Sequence, residues 1–294
     1  MTSPGAAVLA VDVGGTKIAA CRDGGDITRV LTGEDPWAAL TALLDPLADG
    51  ITSVGVGCGG PMEWPAGIVA PLNIPAWREG FPLRDRLSER YGVPVRVHND
   101  AVCMAIGEHA QGGWGVDDLL GVVVSTGVGG GVISRGRLLD GARGNAGHIG
   151  HVVVDPEGPL CGCGGRGCAE AIARGPALVA WAAAQGCDAT DGVSLAAQAA
   201  KGHPVALAAF TRAGRAVGFA IASAAAVLDV RVVVVGGGLA LVPQLWPPMQ
   251  QAVKEHARLG HLRDLSVVPA ALGQRSGLAG AAALFDGRYW SPSA

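Results

Sequence analysis

The stretches VLAVDVGGTK (8–17) and VVVSTGVGGG (122–131) follow one plan: a β-branched apolar run, then a polar turn rich in glycine. Such a run reads as a buried strand. The glycines let the turn tighten so that backbone N–H groups converge, which suits the loop to an anion. Met once in each half, the plan predicts two related α/β domains facing one nucleotide across a cleft.

Further apolar runs stand at ITSVGVGC (51–58), VPVRVHND (93–100), HVVVDP (151–156), VRVVVVGGG (230–238) and LSVVPAAL (265–272). Helical, Ala-rich stretches lie between them at 102–111, 176–185, 195–200 and 206–228. Strands alternating with helices make a largely α/β chain. AQGGWG (110–115) is the expected hinge, and the last helix, beginning in SGLAGAAALF (276–285), crosses back onto the first domain. The expected domains are therefore 1–112 with 280–294, and 113–279.

Composition narrows the function classes. Of 294 residues, 47 are glycine, 49% are apolar and only 4% aromatic, so the core must be aliphatic. A net charge of −3 with no basic run excludes an electrostatic attraction to nucleic acid or to an anionic membrane. AVGFAIASAAAVL (216–228), bounded by Arg215 and Asp229, is shorter than a membrane span and reads as a buried helix. MTSPGAA at the start has neither a charged n-region nor a cleavage site, so the chain is expected to be cytoplasmic. There its seven cysteines would be reduced, and close spacing among them points to metal.

Four constellations can carry chemistry. In DVGGTK, Gly14 and Gly15 permit a tight turn, Thr16 offers a hydroxyl, Lys17 a cation, and Asp12 a carboxylate able to hold hydrated Mg²⁺; an ordinary hairpin would use the same residues. GVGCGG (55–60) matches the dinucleotide-binding glycine pattern, but PMEWP follows it instead of a helix. Gly60 and its neighbours are better suited to letting backbone approach a substrate. In VHNDAV, Asn99 and Asp100 close a strand before a helix. They are either an N-cap or, for Asp100, a carboxylate placed to take a proton from an attacking hydroxyl. Nearby Asn73 in PLNIPAW offers an amide to a polyol. In HIGHVVVDPEGPLCGCGGRGCAE (148–170), His151, Cys161, Cys163 and Cys168 form a Cys₃His set suited to tetrahedral Zn²⁺. Four protein ligands would close the shell, so the ion would be structural.

Taken in order, DVGGTK, NDA, STGVGGG, AGHIGH and CGCGGRGCAE resemble the ROK family (repressor, open reading frame, kinase) across nearly the whole chain. The resemblance implies an actin-like, hexokinase-type fold of two α/β domains, usually a homodimer, that phosphorylates a hexose or hexose derivative with MgATP. It gives Asp100 the place of the catalytic base. Asn73, Asn99, His151 and Glu170 fall on sugar-contacting positions. Gly14 to Lys17, and Thr126, Gly127, Gly129 and Gly130 up to Gly131, fall on phosphate loops, and Gly237 lies in the turn facing the adenosine. Zinc would pin its loop so that Glu170 points into the sugar site with His151. Repressor members carry an added DNA-binding domain, for which a first strand at residue 8 leaves no room.

One departure bears on the substrate. The family's kinases usually read Ala-Gly-Glu-x-Gly-His, whereas this chain has His148 in place of the Glu. Val102 in NDAV, often a second Asn, is a smaller one. The leading expectation is a glucokinase making glucose 6-phosphate. The alternatives are an N-acetylhexosamine kinase (N-acetylglucosamine or N-acetylmannosamine), whose acetamido group His148 would suit, and a non-catalytic sugar-binding regulator. Polyphosphate as donor would favour a basic groove that the sequence does not show.

Overall fold

In β1 (Val8–Val13) the inward positions Leu9, Val11 and Val13 are all buried, which is why this run seeds a sheet rather than a surface strand. A computed structural model describes residues 7–291. The N-terminal MTSPGA lies outside the described residues. Contacts divide the chain into two compact units.

The first unit holds the chain up to Asp117, Gly131–Ala146, and the chain from Ala271 onward. β1, β2 (Lys17–Arg22) and β3 (Thr28–Leu31) form an antiparallel meander, followed by α1 (Pro36–Leu44) and β4 (Ser53–Cys58). Three two-residue strands, β5 (Met62–Glu63), β6 (Ile68–Val69) and β7 (Phe81–Pro82), make a small sheet. After it come α2 (Leu83–Tyr91), β8 (Val95–Asn99) and α3 (Asp100–Gln111). The main sheet runs β3-β2-β1-β4-β8. Its parallel register aligns Asp12 with Gly57 and Val13 with Cys58, and again Gly57 with His98 and Cys58 with Asn99. Three strands therefore end at one level, and the residues that follow them share one edge of the sheet.

The second unit holds Asp118–Gly130 and Gly147–Ala270. It opens with β9 (Leu119–Val124) and β10 (Val128–Ser134), and the chain passes into the first unit inside β10, after Gly130. There β10 pairs with β11 (Arg137–Leu138). The helices α4 (Ala169–Ala173), α5 (Gly175–Ala184), α6 (Gly192–Ala200) and α7 (Pro204–Leu228) precede β12 (Val232–Gly236), α8 (Trp246–His256) and β13 (Ser266–Pro269). β12 pairs in parallel with both β9 and β13. α9 (Ser276–Ala283) belongs to the first unit and packs on α3. Gly280 makes that approach close: a Cβ there would stand 2.9 Å from Cys103 Cα.

Two features differ from the sequence expectation. Residues 113–117, the segment 131–146 and residues 271–279 group with the first unit. Gly131 shows why, since a Cβ on it would lie 2.9 Å from Ala105 Cβ on α3. HVVVDP is not a sheet strand. Val154 N and Asp155 N both donate to Gly167 O, at 2.9 and 3.2 Å, which ties the run to the cysteine loop instead. The helix expected over 206–228 is present as α7, and the apolar stretch 216–228 is its second half. α7 has 25 residues, long and apolar enough by length and composition to cross a membrane, but 61% of its most apolar window is buried within the protein. Gly214 and Gly218 let α8 lie close against it: a Cβ on Gly218 would be 2.7 Å from Ala252 Cβ.

Candidate active site

In the first unit the site grows from the ends of β1, β4 and β8. The β1–β2 turn is an antiparallel hairpin and a candidate anion loop at once, so the two readings of DVGGTK coincide. Gly14 N donates to Lys17 O at 3.1 Å, and the buried Thr32 hydroxyl donates to Gly14 O at 2.6 Å, fixing the turn from behind. Gly15 is required by space: a Cβ on it would sit 2.6 Å from Asn73 O and 2.8 Å from the Asn73 side-chain amide. Asn73 thus lies against the turn. The next layer is GVGCGG, which runs from β4 into no helix. Gly59 would place a Cβ 3.6 Å from Asn73 Oδ1 and 4.0 Å from Asp100 Oδ2, and Gly60 one 3.5 Å from Asn99 Nδ2. Both glycines keep a small space open beside the amides and the carboxylate.

Asn99 caps α3, its side-chain oxygen accepting from Ala101 N at 3.0 Å, and Asp100 Oδ1 accepts from the same N–H at 2.8 Å. Capping does not use up either residue, since Asn99 Nδ2 and Asp100 Oδ2 face the glycines. Burial raises the Asp100 carboxyl above the ordinary carboxylate range, with the Ala101 N–H acting against it. Asp12 is pushed up to about 7, first by burial and then by the Asp100 charge, with the Lys17 ammonium pulling it down. Two neighbouring carboxylates, with Lys17 acting on Asp12 alone, make a pocket short of positive charge.

In the second unit, Thr126, Gly127, Gly129 and Gly130 form and follow the turn between β9 and β10. Ser125 N donates to Gly127 O at 2.8 Å, and Gly175 N donates to Ser125 O at 2.8 Å, which holds the turn against the start of α5. Glu170, the second residue of α4, reaches this turn: its Oε2 accepts from Val128 N at 2.9 Å. Gly127 leaves room for that, because a Cβ there would lie 3.0 Å from Glu170 Oε2. The motif alone assigns Glu170 only toward sugar. Gly237, after β12, has φ +94 and crosses the end of β9, where a Cβ would meet Val124 O at 2.5 Å. His148 is exposed, with its ring 6.2 Å from that of His151.

The ligand atoms of His151, Cys161, Cys163 and Cys168 all lie within 4.8 Å of one another. Cys161 Sγ stands 3.8 Å from His151 Nδ1, and Cys163 Sγ 3.8 Å from Cys168 Sγ. A tetrahedron of sulfurs bound at ~2.3 Å has edges of about 3.8 Å, so the spacing fits zinc. The donor chemistry agrees. Burial, and then the neighbouring Cys161 and Cys163, push the Cys168 thiol up to about 12, a cost that a central dication would remove.

The residues fall into two groups, one on each unit. Asp12, Gly14 to Lys17, Gly60, Asn73, Asn99 and Asp100 gather on the first. Thr126 to Gly130, His148, His151, the three cysteines, Glu170 and Gly237 belong to the second. The profile of the ROK family matches residues 8–288. The chain belongs to the ROK family. It is 39% identical over 246 residues to an N-acetylmannosamine kinase of Citrobacter koseri, covering 79% of this chain and 83% of that one. To the N-acetylmannosamine kinase of Shigella flexneri it is 34% identical over 293 residues, covering 95% and 98%. Among solved structures it resembles a ROK family glucokinase from Streptomyces griseus, in complex with glucose and AMPPNP. The TM-score is 0.81 at 35% identity, over 95% of this chain and 98% of that one. A ROK hexokinase from Thermus thermophilus gives 0.80 at 36% identity, over 94% and 96%. This ROK protein is therefore an ATP-dependent sugar kinase of the actin-like fold, and the two α/β units are those of that fold.

Proposed function

We propose that this ROK kinase phosphorylates an N-acetylhexosamine, with N-acetylmannosamine as the acceptor. The observation that carries the reading is His148 beside His151, at a position where the family's kinases usually hold a carboxylate. A carboxylate only accepts hydrogen bonds and repels the carbonyl oxygen of an acetamido group. A neutral imidazole donates from one nitrogen and accepts at the other, so it serves an acetamido carbonyl and a hydroxyl alike. The N-acetylmannosamine kinases at 34% and 39% identity support the choice. Glucose is the second reading, favoured by the likeness to the S. griseus glucokinase solved with glucose.

In the proposed reaction Asn73 and Asn99 hold acceptor hydroxyls through their amides. Asp100 takes the proton of the hydroxyl whose oxygen bonds to the γ-phosphorus, and ADP leaves with the electrons of the broken P–O bond. Backbone N–H groups of the turns Gly14 to Lys17 and Thr126 to Gly130 donate to phosphate oxygens, apart from Gly14 N, which is held by Lys17 O, and Val128 N, through which Glu170 sets the second loop. Gly237 gives the adenosine its backbone turn. Asp12, short of positive charge, is the residue that would hold Mg²⁺, whose charge offsets that of the ATP phosphates. A cytoplasmic homodimer is part of the same proposal, and a solution mass twice that of the chain checks its dimeric half.

A coupled ADP-release assay over glucose, mannose, N-acetylglucosamine and N-acetylmannosamine should rank N-acetylmannosamine first by kcat/KM. His148→Glu should move the preference toward the unacetylated hexoses by about 1–3 kcal/mol, the scale of one hydrogen-bonding contact to substrate. An unchanged ranking would mean that His148 never meets the sugar.

Zinc, held by His151, Cys161, Cys163 and Cys168, would work only as a clip. Elemental analysis should find about one zinc per chain, and chelation should raise KM for sugar far more than KM for ATP. Metal-free protein with unchanged kinetics would make the cluster incidental.

A further inference from the structure

His98 is the penultimate residue of β8, one before Asn99 and two before Asp100, and its side chain is only 1% exposed. Its Nδ1 accepts the backbone N–H of Asn99 at 2.8 Å, so the ring proton sits on Nε2. Nε2 faces Asp140 Oδ1 at 3.4 Å, and the Asp140 side chain is 9% exposed. β8 is the last strand of its sheet, so no described strand lies beyond it to receive that N–H. The imidazole stands in for one.

The surroundings allow this ring little freedom. The Trp64 ring lies 5.8 Å from it, and the Trp290 ring 6.3 Å away, nearly perpendicular at 86°. Asp140 opens the loop that leads to His148, and its own carbonyl accepts from Ala146 N at 3.0 Å, closing the intervening residues into a turn. Gly144 presses that turn onto Trp64, where a Cβ would be 2.5 Å from ring carbons. One imidazole thus joins two functional segments of the first unit, the strand ending in Asn99–Asp100 and the loop ahead of His148.

We propose that His98 and Asp140 are positioning residues: His98 fixes the Asn99 backbone and so aims the Asp100 carboxylate, while Asp140 anchors the acceptor-side loop. The inference rests on Asp100 as the base. A buried donor or acceptor left unpartnered is costly, so each link has its own signature when cut.

Three conservative variants separate the links. In His98→Gln the side-chain amide reaches toward Asp140 but withdraws the acceptor from Asn99 N. In His98→Asn the acceptor near Asn99 stays and the reach to Asp140 is lost. Asp140→Asn keeps an acceptor but removes the charge. Misaiming a reacting group by about 1 Å costs up to roughly 10²-fold, so His98→Gln should lower kcat about tenfold or more with KM for ATP within about twofold. His98→Asn and Asp140→Asn should hold kcat closer to wild type and raise KM for the acceptor sugar about threefold or more. Rates are expressed per folded enzyme, from thermal melts of each variant, and Asp100→Asn is assayed alongside. The proposal falls if all three variants keep kcat and sugar KM within twofold while Asp100→Asn is inactive. It falls equally if their losses vanish once unfolded protein is discounted. An active Asp100→Asn enzyme would overturn this proposal together with the reading it rests on.

Discussion

Asp100→Asn enzyme is expected to bind sugar and ATP nearly as tightly as wild type and to turn over at least ~10²-fold more slowly, the usual cost of losing a general base. The substitution is clean because the local structure tolerates it. The amide oxygen that replaces Asp100 Oδ1 would still accept from Ala101 N, as the carboxylate does at 2.8 Å, so the start of α3 keeps its cap. What disappears is the ability to take a proton. Burial lifts the Asp100 carboxyl above its ordinary range, which makes it a stronger base than an exposed aspartate. The acid limb of kcat/KM should accordingly fall at higher pH than an unperturbed carboxylate would give, because the rate drops as the base becomes protonated. Steady-state kinetics and a sugar-binding titration check both statements. A mutant with near-wild-type kcat removes Asp100 from the reaction.

Much of this was legible because the chemistry is carried by short contiguous motifs. The β1–β2 turn announces itself through Gly14 and Gly15, and the structure supplies the reason: Asn73 lies where a side chain on Gly15 would be. The cysteine loop is legible for the same cause, since three sulfurs within eight residues, separated by glycines, have few other ways to be arranged. The two-unit α/β plan follows from repeating a strand and a glycine turn in each half.

What stayed hidden depends on tertiary partners. His98 reads as one more residue of an alternating strand, and only Asp140, far along the chain, gives it a role. Glu108 stands two turns beyond Asp100 on α3, after a run of apolar residues. In the folded chain it is fully buried and accepts from Ala271 N, Leu272 N, the Ser276 hydroxyl and Trp114 Nε1, at 2.6 to 3.0 Å. Four donors replace its water, and none of them is near it in sequence except Trp114. HVVVDP has the composition of a strand but takes its hydrogen bonds from a loop, since Gly167 O accepts both N–H groups that a sheet neighbour would claim. Glu170 goes to sugar on its motif alone, while its bond to Val128 N needs the fold of the β9–β10 turn.

Asp12→Asn should move activity and stability in opposite directions. The Asp12 carboxyl titrates near 7 in the folded protein, against 3.8 for an unperturbed aspartate, because burial and the Asp100 charge both oppose ionisation. Between those two values the folded chain keeps a proton that the unfolded chain releases. Stability contributed by this group therefore falls as pH rises from about 4 to about 7, and the loss is complete above that. An asparagine carries no charge at any pH and escapes the penalty. At pH 8, without nucleotide or magnesium, the variant should be more stable than wild type by about 1–3 kcal/mol, a value tempered by the partial exposure of the pocket to water. That corresponds to a rise in Tm of several degrees, roughly 2–4 °C per kcal/mol in a chain of this order of size. At pH 4, close to the unperturbed value, the difference should all but vanish. Turnover should fall at least ~10²-fold at every pH, because the carboxylate that would hold the metal is gone. Melting curves at pH 4 and pH 8, paired with kinetics, test both signs. A variant less stable than wild type at pH 8 would show that Asp12 is ionised and well paired in the resting enzyme, and the charge-poor pocket inferred around it would have to be abandoned.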